Sequence, residues 1–197
     1  MRKFRHPFIA FLVVGICAAC AMPQTKIYSL VLKNEGPAAK PKTEASLDLV
    51  VRSPRYLSQP YIAYRTSPYQ LEIARYSKWD SSPSEMVRES FRNALSATAL
   101  FKEVKASNFV PPAFYSLEID LKRFERSDDG SGSFADLSFD LGLFSPDGKT
   151  IYRSSFEKKV KLGDRGFASL AEALSSALAE GIEGAKAGIA GTFQGAI

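Results

Sequence analysis

The chain is poor in the side chains that carry most enzyme chemistry. Of its 197 residues one is a histidine, His6, and two are cysteines, Cys17 and Cys20, and all three fall within the first twenty positions. Everything after Cys20 is without an imidazole or a thiol. Ser-His-Asp and Cys-His catalysis, histidine-ligated zinc and thiol redox exchange each need such a side chain, so that region is closed to them. No glycine-rich phosphate loop of the Walker type is present, which excludes ATP hydrolysis by that motif. Nor does any apolar run reach the roughly 20 residues that a membrane-spanning helix needs.

What is present begins at the N-terminus. Arg2, Lys3 and Arg5 precede an uninterrupted apolar run over 8–19. Such a run rises only about 18 Å as a helix, short of the ~30 Å hydrocarbon core, so it reads as an export signal occupying 1–19 rather than a span. Ala18 and Ala19 stand immediately before Cys20 and resemble the lipobox of bacterial lipoproteins, with Cys17 where leucine is commonest. In that pattern the thiol receives a diacylglycerol and the peptide is cut just ahead of it. The less specific alternative is ordinary secretory cleavage after Ala19, which leaves Cys20 a free thiol. Each buried methylene of a lipid adds about 0.8 kcal/mol, so several acyl chains hold a protein stably. Ala21, where an aspartate would signal inner-membrane retention in enteric-type bacteria, implies the periplasmic face of the outer membrane. The inner membrane is the alternative.

The sequence pI of 9.2 comes largely from the discarded segment. Removing Arg2, Lys3 and Arg5 leaves 23 basic against 21 acidic residues, close to balance. Basicity therefore gives no argument for a nucleic-acid partner. A hydrophobic content of 45% is enough for the core of one compact domain.

Local patterns give the elements. Strands are predicted at 26–32, 46–52, 61–65 and 70–75, with a loop over 33–45, where Pro, Ala, Lys and Gly show no apolar period. Ser82 or Ser84 is placed to cap a helix carrying Val87, Phe91 and Leu95, with Pro83 in its first turn. Leu117, Ile119 and Leu121 alternate with polar neighbours, as do Leu137, Phe139, Leu141 and Leu143, which predicts two half-buried strands joined by a polar loop over 127–133. A Ser-Pro-Asp-Gly turn at 145–148 leads into a last strand over 150–162, completing a three-stranded antiparallel meander. A final helix places Phe167, Leu170, Leu174, Leu178 and Ile182 on one face, then is expected to dissolve into a glycine-rich tail over 184–197. The fold class expected is α+β, a largely antiparallel sheet with two helices packed on one face.

The segment from Lys26 to Leu95 carries a resemblance. Tyr28-Ser29-Leu30, the strand at 47–51, Pro54-Arg55-Tyr56-Leu57, Pro60-Tyr61-Ile62-Ala63-Tyr64-Arg65 and Trp79 shortly before Pro83 resemble, in order and spacing, the ABC-type transport auxiliary lipoprotein (PqiC-like) family. Tyr61 departs from the pattern, which often has a polar residue there. The resemblance implies a tether at 20–25, an auxiliary domain at 26–183 and a periplasmic, non-catalytic role without cofactors. It implies MCE-type proteins and an ABC transporter or related membrane subunits as partners, in lipid traffic between the two membranes. A structural envelope lipoprotein is the second reading and a periplasmic enzyme the third.

For a partner surface the candidates are Tyr56, Leu57, Tyr61, Tyr64, Arg65 and Trp79, because aromatic residues and arginine are enriched at binding hot spots. The competing reading is that they finish a core or cover a sheet edge. Other motifs are discounted. Ser155 and Lys158 have the spacing of penicillin-recognising enzymes but lie on a predicted strand, where residues three apart face opposite ways. Glu118, Asp120, Asp136 and Asp140 read as a solvated sheet face rather than a glycosidase pair. Asp128 and Asp129 beside Gly130 lack the ligand spacing of a calcium loop, and no metal site is expected. The Gly184/Gly188 and Gly191/Gly195 spacings fit a frayed tail or a contact in a homo-oligomer.

Overall fold

The computed structural model describes residues 23–32, 40–107 and 110–194. The signal segment and Cys20 lie outside the described residues. The order of elements is β1 (Lys26–Tyr28), β2 (Ser46–Arg52), a 3-10 turn (Arg55–Ser58), β3 (Tyr61–Ser67), β4 (Gln70–Trp79), α1 (Pro83–Ala97), β5 (Glu103–Lys105), β6 (Tyr115–Asp129), β7 (Gly132–Phe144), β8 (Thr150–Lys161) and α2 (Phe167–Gln194).

These elements form an open, mixed sheet of eight strands carrying two helices, an α+β fold. The expected meander is present: β7 runs antiparallel between β6 and β8 over nearly the whole length of all three. Four short pairings are parallel, β1 with β4, β2 with β5, β2 with β6 and β3 with β6. Alternation along a strand reports which face is buried but says nothing about a neighbour's direction, so these were not legible.

Strand β6 is the spine. One edge pairs with β7; the other pairs with β2 over its first half and with β3 beyond it, as at Tyr64 opposite Arg126. Its inward residues Leu117, Ile119, Leu121 and Phe124 are fully buried. A register shift between Leu121 and Arg123 marks the changeover and keeps Phe124 facing the core.

Both helices cover the same face. In α1, Ser82 Oγ accepts from Glu85 N at 3.3 Å, satisfying an otherwise orphaned amide, and Pro83 occupies the first turn. Met86, Val87, Phe91 and Leu95 form its buried stripe. Phe91 meets the ring of Phe139 edge-on at 5.6 Å, and Phe139 stacks on Phe156 of β8 at 5.2 Å. Helix α2 lies over that stack.

Three sequence expectations need correction. The helix expected to end before Gly184 continues to Gln194. The glycines from Gly184 onward were read as a loose tail, but Gly188 among them serves packing, as does Gly181 inside the expected helix. A Cβ at Gly181 would come within 2.8 Å of Phe139, and one at Gly188 would overlap the Tyr152 ring. The helix can lie on its aromatic bed only where those side chains are missing. Ala185 and Ile189 are buried, and Phe193 closes the far end against Phe101 and Tyr115 at 5.2 and 5.3 Å.

The polar segment over 127–133 is mostly strand, turned by Gly130 and Ser131 alone. Its polarity hid the alternation because Arg126 and Asp128 face inward as a matched pair. Finally, β1 stops at Tyr28 rather than at residue 32, and β4 runs on to Trp79. The turn at 145–148 forms as expected, with Gly148 N donating to Ser145 O at 2.8 Å and a φ of 82° at Gly148.

Candidate functional site

The chain between β2 and β3 detours around the register shift in β6. Pro54 starts the 3-10 turn, where Leu57 N donates to Pro54 O at 2.9 Å. The turn drops Leu57 into the core and holds Tyr56 above the open sheet face, beside Glu125. Glu125 is 1% exposed. Its two oxygens are divided between two donors: Tyr56 Oη at 2.8 Å to Oε2 and Arg65 Nε at 2.5 Å to Oε1.

A buried carboxylate is tolerated only when its charge is matched and its lone pairs are filled, and this arrangement does both. The surroundings act on the partners. Burial first, and then the Glu125 charge, push the Tyr56 phenol well above its ordinary range, so it stays a donor. The hydrogen bond that Arg65 donates to Glu125 holds the guanidinium pKa up. The three side chains tie the 3-10 turn, β3 and β6 together.

On the opposite, helix-covered side of β6 the next residue, Arg126, is also buried. Its Nε and Nη2 reach Asp128 at 3.0 and 3.1 Å, and Nη1 donates to Arg165 O at 2.6 Å. The guanidinium lies between the rings of Tyr64 and Phe167, at 4.8 and 5.2 Å from their centroids. Tyr64 Oη donates to Glu72 at 2.7 Å, and that bond raises the phenol above its ordinary value.

The six candidates therefore separate. Tyr56 and Arg65 converge on Glu125; Tyr64 belongs to the Arg126 cluster; Tyr61 is 44% exposed. Leu57 and Trp79 are 0% and 1% exposed and offer no surface to a partner, a correction to their place in the set. Trp79 packs edge-on against Phe124 at 5.4 Å, with Nε1 unpartnered. Glu125, Arg126 and Asp128 were missed. Their signal was the charged run Arg123-Phe124-Glu125-Arg126, where alternation called for further apolar residues.

Elsewhere on the open face a polar hollow of about 490 Å³ is lined by Arg52, Glu118, Asp120, Asp140 and Arg153, among others. Glu118 pairs with Arg52 at 2.6 Å, and Asp140 pairs with Lys122. Hydrogen bonds from Lys122 and Ser155 hold Asp140 below the usual carboxylate range, the reverse of a general acid. Asp136 differs: burial raises it, and Arg123 at 3.1 Å only partly offsets this. Among the described residues no group of three or more metal-ligating side chains comes together, and no helix is long and apolar enough to cross a membrane.

Comparison with solved structures defines the class: an open mixed sheet with two helices, shared with a Xanthomonas campestris protein of the DUF330 family. That structure is 21% identical, with a TM-score of 0.72 over 87% of this chain and all of the other. An uncharacterised protein is similar at 21% identity and a TM-score of 0.66, over 84% of this chain and 99% of the other. No curated protein matches significantly. The family model for the ABC-type transport auxiliary lipoprotein component matches residues 28–183. The chain belongs to that family.

Proposed function

We propose that this chain is a lipid-anchored periplasmic component of an MCE/ABC-type system that moves lipid between the inner and outer membranes, contributing binding and position rather than catalysis. The observation that carries the reading is the family match, which spans every described element from β2 to β8 and most of α2. The N-terminal signal with Cys20 supports attachment, at the outer membrane by the residue that follows it. The lack of histidine and cysteine after Cys20 and the paired carboxylates of the open face support a non-catalytic role. Of the candidate residues, Tyr56 and Arg65 on the open face and Tyr64 on the opposite side remain assigned to protein partners. Energy and a channel come from those partners.

Crosslinking in whole cells, purification of the lipidated protein and mass spectrometry of what accompanies it tests the reading. Recovery of MCE-type and ABC subunits is the expected outcome. Recovery of cell-wall or unrelated envelope proteins alone would leave a structural lipoprotein instead.

A further inference from the structure

At the free end of the sheet, β1, β4 and β3 place three side chains in one row on the open face. Ile27 and Tyr61 both pair with Lys78, one from each side. Ile27 is 61% exposed and Tyr61 44%, although both sit within paired strands. Ile73, on the same face through its pairing with Ala63, adds 42% exposure, and Tyr76, 43% exposed, lies under the Arg75 guanidinium at 5.5 Å. Tyr61, Ile73, Arg75 and Lys78 line one hollow together with Thr25. The result is a patch of apolar and aromatic side chains interleaved with two cations. Isolated exposed apolar residues need no explanation, but a contiguous group of this kind does.

Thr25 also marks where the tether leaves the domain. Five peptide links separate it from Cys20, and they reach at most roughly 18 Å when fully extended. A lipid on Cys20 therefore holds this patch, and no distant face of the molecule, next to the headgroups. We propose that the patch of Ile27, Tyr61, Ile73, Tyr76, Arg75 and Lys78 seats on the bilayer that holds the anchor, the aromatic and aliphatic groups entering the interface and the two cations meeting anionic headgroups. The inference rests on lipidation of Cys20. Tethering makes the contact intramolecular in effect, so a patch too weak to bind vesicles alone is sufficient to orient an anchored domain. Tyr61 belongs to this contact rather than to a protein interface.

The test uses the lipidated mature protein, whose only free thiol is one introduced for labelling, because Cys17 leaves with the signal and the Cys20 thiol is consumed. An environment-sensitive fluorophore is attached to Ile73→Cys or, as control, to Tyr69→Cys, which is 98% exposed at the far end of the β3–β4 hairpin. Both proteins are reconstituted into phosphatidylethanolamine vesicles with and without phosphatidylglycerol. The Ile73 label should shift to the blue and lose accessibility to iodide, more so with phosphatidylglycerol, while the Tyr69 label does neither. Arg75→Glu with Lys78→Glu should abolish the phosphatidylglycerol dependence. A water-exposed Ile73 label on a membrane-bound protein overturns the proposal, as does one that responds only when a partner protein is added. An unmodified Cys20 in the intact mass overturns it too, and separates that failure from any failure of the transport reading.

Discussion

Arg65 Nε stands 2.5 Å from Glu125 Oε1, joining β3 to a carboxylate 60 residues later in the chain on the strand beside it. The pair is asymmetric. The Arg65 side chain keeps 32% of its area in solvent, whereas that of Glu125 has none. Removing the arginine strands a buried charge, while removing the glutamate returns a guanidinium to water.

Arg65→Met is accordingly expected to destabilise the fold by about 2–4 kcal/mol, and Glu125→Gln with Arg65→Met together by less than Arg65→Met alone. Tyr56→Phe removes one neutral donor to a charged acceptor and should cost about 1.5–3 kcal/mol. Urea denaturation of these variants, of Glu125→Gln alone and of the unsubstituted protein, followed by circular dichroism, measures the Arg65–Glu125 cycle. Additive losses in that cycle would mean that the two side chains do not act as a pair.

The alkaline limb of stability should belong to the tyrosines. The folded state holds Tyr56 above its ordinary value of 10.0 and raises Tyr64 as well. A raised acid contributes stability that is fully present below its unfolded pKa and lost as pH climbs towards the folded one. Melting temperature should therefore fall from about pH 10 upward, and Tyr56→Phe should flatten that fall. Asp129 behaves oppositely. Bonds from Ser131 lower it to about 2, so its contribution is present above 3.8 and fades as pH drops below that. Asp129→Asn should blunt the acid limb, measured by the same melting series.

Glycine-to-alanine changes along α2 should split by position. Gly184 and Gly191 face open space, so alanine there should add about 0.5–1 kcal/mol by helix propensity. At Gly181 the new Cβ meets Phe139, itself wedged between Phe91 and Phe156, and the expected loss is about 1–3 kcal/mol. Gly188→Ala should cost less than Gly181→Ala, because the half-buried Tyr152 can swing aside. Thermal melts of the single variants decide the order.

Trp79 is the sole tryptophan and lies in the core, so native emission should be blue-shifted and should move to the red on unfolding. Trp79→Ala should cost about 3–5 kcal/mol, whereas Tyr61→Ser should change stability by no more than about 0.5 kcal/mol. Chemical denaturation monitored by circular dichroism compares them. Loss of a partner in Trp79→Ala would then report unfolding rather than a missing contact.

Periodicity made the apolar framework legible. The alternation through Leu117, Ile119 and Leu121, the helical stripe of Val87, Phe91 and Leu95, and the Ser-Pro-Asp-Gly turn each depend on local geometry, which a sequence carries directly. What stayed hidden was set by tertiary partners. Gly188 looks like part of a loose tail until Tyr152 is seen beneath it, and no local pattern shows that Gly181 makes room for Phe139. Glu125 and Arg126 look like surface charges until Tyr56, Arg65 and Asp128 are brought to them from other elements or turned inward. Residues 103–105 are too short and too polar to show a period, and form a strand only because β2 offers them an edge.

The shared edge of β6 also bears on how the chain comes to fold. Strands β2 and β3 come well before the strand that unites them in the chain, and the ties from Arg52, Tyr56 and Arg65 to β6 span 60 to 69 residues. Contacts of that separation cost loop entropy before they return any stabilisation, so folding should be slow and should await β6. A chain cut after α1 would leave both strands without their common neighbour. Until β6 is in place the early strands are bare edges, and a holding factor that shields them would raise the yield of folded protein.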